Sequence, residues 1–153
     1  MNNKFTFSII SWVITALIVF IFMLPIYSQI GDAYPFYVEN IAFIVLLVTF
    51  ARFIFLTKFH WFSHYTPFKL VMIFLMIPVL MYVIDNLWDF QTFMDEKGIS
   101  SIMQNISADA QRSLAKYIKA EMTFFWAGAF ISSIALALRM MHSIFRLMHR
   151  GKV

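Results

Sequence analysis

Apolar positions along this chain come in long blocks rather than in alternation. Residues 5–27, 36–57, 67–87 and 122–139 each form an almost unbroken apolar run. About 20 apolar residues at the helical rise cross a bilayer core, and a lipid-exposed segment must satisfy its own backbone, so each block predicts a membrane-spanning helix. Between the third and fourth blocks the period changes. Over residues 99–119, Ile99, Ile102, Met103, Ile106, Ala110, Leu114, Tyr117 and Ile118 recur at three- and four-residue spacing, while Ser101, Asp109, Arg112, Lys116 and Lys119 take the other face. That spacing predicts an amphipathic helix. Gly98 reads as the stop of the helix before it. The predicted fold class is all-α: an integral membrane four-helix bundle with one extra amphipathic helix between transmembrane helices 3 and 4. No internal repeat divides the chain, so residues 1–153 read as a single membrane domain.

Composition agrees with the pattern. The chain is 61% hydrophobic and 13% charged, too few polar residues to cover a soluble domain of this size. There is no cysteine, which excludes disulfides, thiolate metal sites and a cysteine nucleophile. The first block is longer than the ~7–15 residues of a signal-peptide core, and PIYSQIGD is a poor cleavage site, so the block reads as a retained helix. The net charge of +4 comes from residues scattered at block borders, with no basic patch suited to nucleic acid.

Charge also gives an orientation. With four spans, Lys4, Arg52, Lys58, Lys69, Arg139, Arg146, Arg150 and Lys152 fall on one side, and Lys97, Arg112, Lys116 and Lys119 on the other. All eight acids (Asp32, Glu39, Asp85, Asp89, Asp95, Glu96, Asp109 and Glu121) lie on that second side. The excess of Lys and Arg on the first side predicts cytoplasmic N- and C-termini in a multi-pass protein, with a bacterial inner membrane as the expected location.

Four features carry candidate chemistry. Glu39 opens helix 2, Asp85 and Asp89 close helix 3, and Glu121 opens helix 4, at nearly one height. Converging carboxylates bind a cation or share a proton, whereas acids at helix N-termini also serve the helix dipole. Asp85 is expected to point inward, with Asn40, Tyr34, Tyr37 and Tyr82 as available partners; Tyr34 and Tyr37 otherwise read as interfacial aromatics. Arg52 lies about 9 Å of helix inside Lys58 and reads as a snorkelling anchor, with a hydroxyl, a carbonyl or a lipid phosphate as the alternative partner. His60 and His64 have chelating i, i+4 spacing but no acid beside them, which makes them weak metal candidates. Gly128, Ala129, Ser132, Ser133 and Ala137 form a small-residue face on helix 4, suited to close packing inside the bundle or against a partner or second copy.

No Ser-His-Asp order, phosphate-binding glycine loop or HExxH pattern is present, and no cofactor is implied. The chain therefore reads as non-enzymatic. The leading expectation is an accessory or scaffold subunit of a membrane complex, whose partners are the lipid bilayer and another membrane protein or a second copy engaged through helix 4. The alternatives are an oligomeric cation or proton transporter using the carboxylates, and a membrane-embedded lipid-modifying enzyme.

Overall fold

The computed structural model describes residues 3–55, 66–103 and 106–150. Its elements are α1 (Asn3–Ile30), a 3-10 turn (Gly31–Ala33), α2 (Tyr37–Phe55), α3 (Thr66–Glu96), a second 3-10 turn (Ile99–Ile102) and α4 (Ala108–Arg150). All four α-helices are long and apolar enough to cross a membrane. The end of the bundle holding both 3-10 turns is called the upper end below.

Three of the helices, α1, α3 and α4, outrun their apolar blocks. α3 has 31 residues and α4 has 43, about 46 and 65 Å at the helical rise, so α4 is twice as long as a ~30 Å hydrocarbon core. Apolar blocks mark depth in lipid; helix ends are set by backbone chemistry. α3 stops where the amides of Lys97 and Gly98 both bond the Phe93 carbonyl at 3.0 Å and Gly98 adopts φ +68°, a conformation that disfavours any side chain. α4 starts where the Gln111 amide bonds the Ser107 carbonyl at 2.9 Å.

The amphipathic stretch does not form a helix of its own. Its first part is the 3-10 turn and the loop after it. From Ala108 onward it is the opening three turns of α4, continuous with the fourth span. Its face assignment survives: Leu114 and Ile118 are buried, while Asp109, Arg112, Lys116 and Lys119 are exposed. Nothing between residues 108 and 122 breaks the helix, so a change of polarity produces no change of backbone. The Gln111 side-chain amide donates to the carbonyls of Met103 and Ile106 at 2.8 and 2.9 Å, and Ile99 and Met103 are buried against the bundle.

The bundle runs up-down-up-down. α2 and α4 are parallel and form the central pair: Asn40 meets Glu121, and Leu47 meets Gly128 seven residues further along both helices. α3 lies antiparallel to α4, tied at Trp126 Nε1 to the Val83 carbonyl (2.9 Å) and at Lys69 Nζ to Ser143 Oγ (2.9 Å). α1 flanks α2 and touches α4 through Phe22, whose ring meets Phe125 edge-on at 4.8 Å. Tyr117 Oη donates to the Phe22 carbonyl at 2.9 Å, in the turn that Pro25 disturbs within α1.

The outer surface stays apolar: Phe55, Trp88 and Val38 are more than 70% exposed. In lipid, apolar side chains gain little by turning inward, so close fit and polar satisfaction decide the interior. The main core joins Met23 and Ile26 of α1, Phe43 and Ile44 of α2, Val83 and Phe90 of α3, and Ile118, Met122 and Phe125 of α4.

Candidate functional site

A polar cluster interrupts this core near its upper end. Asn40 is fully buried on α2, and Glu121 is 5% exposed on α4. Asn40 Nδ2 donates to Glu121 Oε2 at 2.6 Å, a short charge-assisted contact. The parallel pairing of α2 and α4 sets their register, and the helical step from Leu47 to Asn40 repeats on α4 from Gly128 to Glu121. Glu39, the neighbour of Asn40, is half-buried.

Tyr34 supplies the third side. The 3-10 turn, helped by Gly31 at φ +58°, folds the chain back so that Tyr34 is only 2% exposed. Tyr37 Oη donates to the Gly31 carbonyl at 2.8 Å and stacks edge-on against Tyr34 at 5.0 Å, which fixes the turn. Burial raises the ionisation of the Tyr34 phenol far above its ordinary range, and the charges of Glu121 and Glu39 raise it further. Both carboxylates are therefore near enough to disfavour the ionised phenol. The Asn40 side chain lies beside it and slightly opposes the shift, yet outside good hydrogen-bonding geometry.

The cluster is rich in acceptors and poor in donors. Tyr34 Oη, Glu39 Oε2, Asn40 Oδ1 and Glu121 Oε1 are all buried without a hydrogen-bond partner. Buried polar atoms are ordinarily paired, and each one left unpaired costs about 1–3 kcal/mol, more when charged. These four unpaired oxygens belong to three neighbouring segments, the turn, α2 and α4, at the upper end. Among the described residues, no three acidic or histidine side chains converge on a metal-sized point, so two carboxylates, one amide and one phenol are the donors available.

Of the four predicted carboxylates, Glu121 is buried against Asn40, and Glu39 is half-buried one position before Asn40 on α2. Asp85 and Asp89 are exposed and take no part. The expectation that Asp85 points inward is corrected: Val83, Leu87 and Phe90 carry the buried stripe of α3, and that stripe places Asp85 and Asp89 with Trp88 on the outer face. Asn40 and Tyr34, considered as partners for Asp85, are the core of the site instead. A polar amide inside the apolar run 36–57 was the available signal for Asn40, since such a group seeks a partner helix. Nothing local marked Tyr34, whose burial depends on the fold of the turn.

The small-residue face of α4 is taken up within the chain. A Cβ at Gly128 would come within 2.6 Å of Leu47 Cδ2. Ala129, Ser132 and Ser133 are buried, and Ala137 packs on the lower core. Ser132 and Ser133 donate their hydroxyls to the Ala129 carbonyl at 3.1 and 2.6 Å, which satisfies them inside their own helix. Lys69, expected at the border, is 3% exposed. Arg52 lies 5.6 Å from the Trp12 ring centroid and 5.3 Å from that of Phe53. His60 and His64 lie outside the described residues.

Fold and site together define an all-α bundle of four potential membrane spans with a buried, acceptor-rich polar cluster near one end. In comparisons with known proteins, no family model, curated protein or solved structure matches this chain.

Proposed function

We propose that this chain is a small polytopic membrane protein that binds a hard cation, in competition with protons, at Glu39, Asn40, Glu121 and Tyr34. One observation carries the reading: four buried oxygens of that cluster lack a hydrogen-bond partner. Hard cations take oxygen ligands, and two carboxylates balance one divalent ion, or one monovalent ion plus a proton. A groove of about 330 Å³ at the upper end, lined by Pro25, Gln29, Ser113 and Tyr117 among others, supports an approach; Tyr117 lies one helical turn above Glu121 on the same face. The small-residue face of α4 is packed within the chain, with Gly128 against Leu47 and Ala129, Ser132 and Ser133 buried, so this face does not argue for a partner or second copy. The uneven distribution of Lys and Arg supports cytoplasmic termini in a bacterial inner membrane, with the site near the non-cytoplasmic boundary.

The test is thermal unfolding of the purified full chain in mild detergent, with sodium, potassium, magnesium or calcium chloride titrated at constant ionic strength. At least one cation is expected to raise the melting temperature of the wild type and to leave Glu121→Gln and Glu39→Gln unmoved. Equal responses in all three proteins, or none in the wild type at any pH between 5 and 9, would overturn the proposal.

A further inference from the structure

At the opposite end of the bundle, Arg52 has no anion beside it among the described residues. All eight acids of the chain lie in the upper half, and the closest along α2, Glu39, is 13 residues or about 20 Å of helix away. Arg52 Nε is buried with no hydrogen-bond partner. What holds the guanidinium is aromatic: the Trp12 and Phe53 rings described above. Rings orient a guanidinium but accept none of its hydrogen bonds in its own plane.

The depth of this group is fixed by its neighbour. Trp12 lies 18 residues, about 27 Å, below Ile30 at the upper end of α1. That is nearly the full thickness of a ~30 Å core, and tryptophan favours the interface. The stacked guanidinium therefore sits at the headgroup boundary of the lower leaflet. From Trp12 a groove of about 470 Å³ runs up between α1 and α2, past Thr15, Val19 and Met23 on one wall and Ile41 and Val45 on the other. Thr15 on its wall has its hydroxyl committed to the Ser11 carbonyl at 2.9 Å, and above Trp12 the remaining lining side chains are apolar. It begins at Trp12, the ring that carries the Arg52 guanidinium, and passes Ala16 on its way toward the bilayer middle.

We infer that this is a binding site for an anionic phospholipid of the lower leaflet, with its phosphate on Arg52 and one acyl chain in the α1–α2 groove. Guanidinium donors match phosphate oxygens in pairs, and a slot of purely apolar walls suits a hydrocarbon chain. The lipid would also complete the contact between α1 and α2, which meet along a gap at this level. This inference is independent of the carboxylate cluster, which lies at the other end of α2.

Native mass spectrometry of the delipidated full chain, titrated with phosphatidylglycerol or phosphatidylcholine of identical acyl chains, tests it. The wild type is expected to retain one phosphatidylglycerol with about tenfold preference, the scale of one charge-assisted pair. Arg52→Gln should abolish the preference, and Arg52→Lys should keep part of it. Ala16→Trp, which fills the groove and leaves Arg52 in place, should block retention of that first lipid. Arg146→Gln, an exposed cation on the same half of α4, should bind as the wild type does. Equal retention of both lipids by the wild type, or unchanged preference in Arg52→Lys and Ala16→Trp together, would overturn the site even if Arg52→Gln failed to fold.

Discussion

The Asn40 side-chain amide donates a 2.6 Å hydrogen bond to the Glu121 carboxylate across 81 positions of sequence, inside the most closely packed helix pair of the molecule. The contact does two things. It fixes the register of α2 against α4, and it leaves the second oxygen of each side chain buried without a hydrogen-bond partner.

The Asn40–Glu121 pair should therefore be coupled in stability. Asn40→Ala leaves a buried carboxylate without its donor and is expected to lower unfolding free energy by about 1–3 kcal/mol. Adding Glu121→Ala should recover part of that loss, giving an interaction energy of about 0.5–3 kcal/mol in a double-mutant cycle. Denaturant unfolding in mixed micelles reads it, and strict additivity of the two changes would show that the bond is not formed.

Tyr34 predicts a loss of stability in alkali. Its phenol ionises far above the ordinary value of 10.0 when folded, because it is buried and faces Glu121 and Glu39. Below pH 10 both states keep the proton, so this group contributes no pH dependence. Above pH 10 the unfolded chain releases the proton and the folded chain holds it, so stability falls as pH rises, by about 1.4 kcal/mol per pH unit for one proton. Tyr34→Phe should unfold with a correspondingly shallower dependence between pH 10 and 11. Parallel curves for the two proteins would place the phenol in water.

Gly128 should be intolerant of size for a reason that can be reversed. Isoleucine there would collide with Leu47, whose Cδ2 is 2.6 Å from the position of an added Cβ. Overpacking of this kind costs about 1–3 kcal/mol. Leu47→Ala in the same chain is expected to restore much of the loss by vacating the space. If Gly128→Ile is neutral alone, α2 and α4 are not in contact at this level.

Orientation has a direct assay. A reporter active only in the cytoplasm should work when fused after Val153 and fail when inserted beside Ser107. The opposite pair of results would invert the bundle and place the carboxylate cluster on the cytoplasmic side.

The sequence was enough to establish four apolar helices from unbroken runs of bilayer length and the buried face of residues 110–118 from a three- and four-residue repeat, because both are local properties of the chain. It placed Glu39 and Glu121 at one height by counting residues at 1.5 Å each. The same counting put Asp85 at that height too and could not tell that it faces outward. Height follows from position along a helix, but rotation about the axis follows from which stripe packs best, and α3 is apolar on almost every side. In a soluble protein the polar face would have revealed that rotation; lipid erases the contrast.

The extent of α4 was misjudged for a related reason. The pattern predicts an amphipathic helix over 99–119 apart from the span at 122–139, yet the backbone continues from Ala108 because no glycine, proline or cap intervenes. By itself the sequence determined the class of object: an all-helical chain with four membrane-length helices, all its acids toward one end and Arg52 in the other half. Only tertiary structure decided which polar groups meet. Tyr34 is brought inward by a turn at Gly31, Asn40 is aimed at Glu121 by the parallel seating of α2 on Gly128, and Trp12 is laid across Arg52 by the packing of α1 on α2. Each of these contacts depends on the rotation and spacing of whole helices, which are set by the close fit of side chains distant in sequence rather than by any residue's own preference.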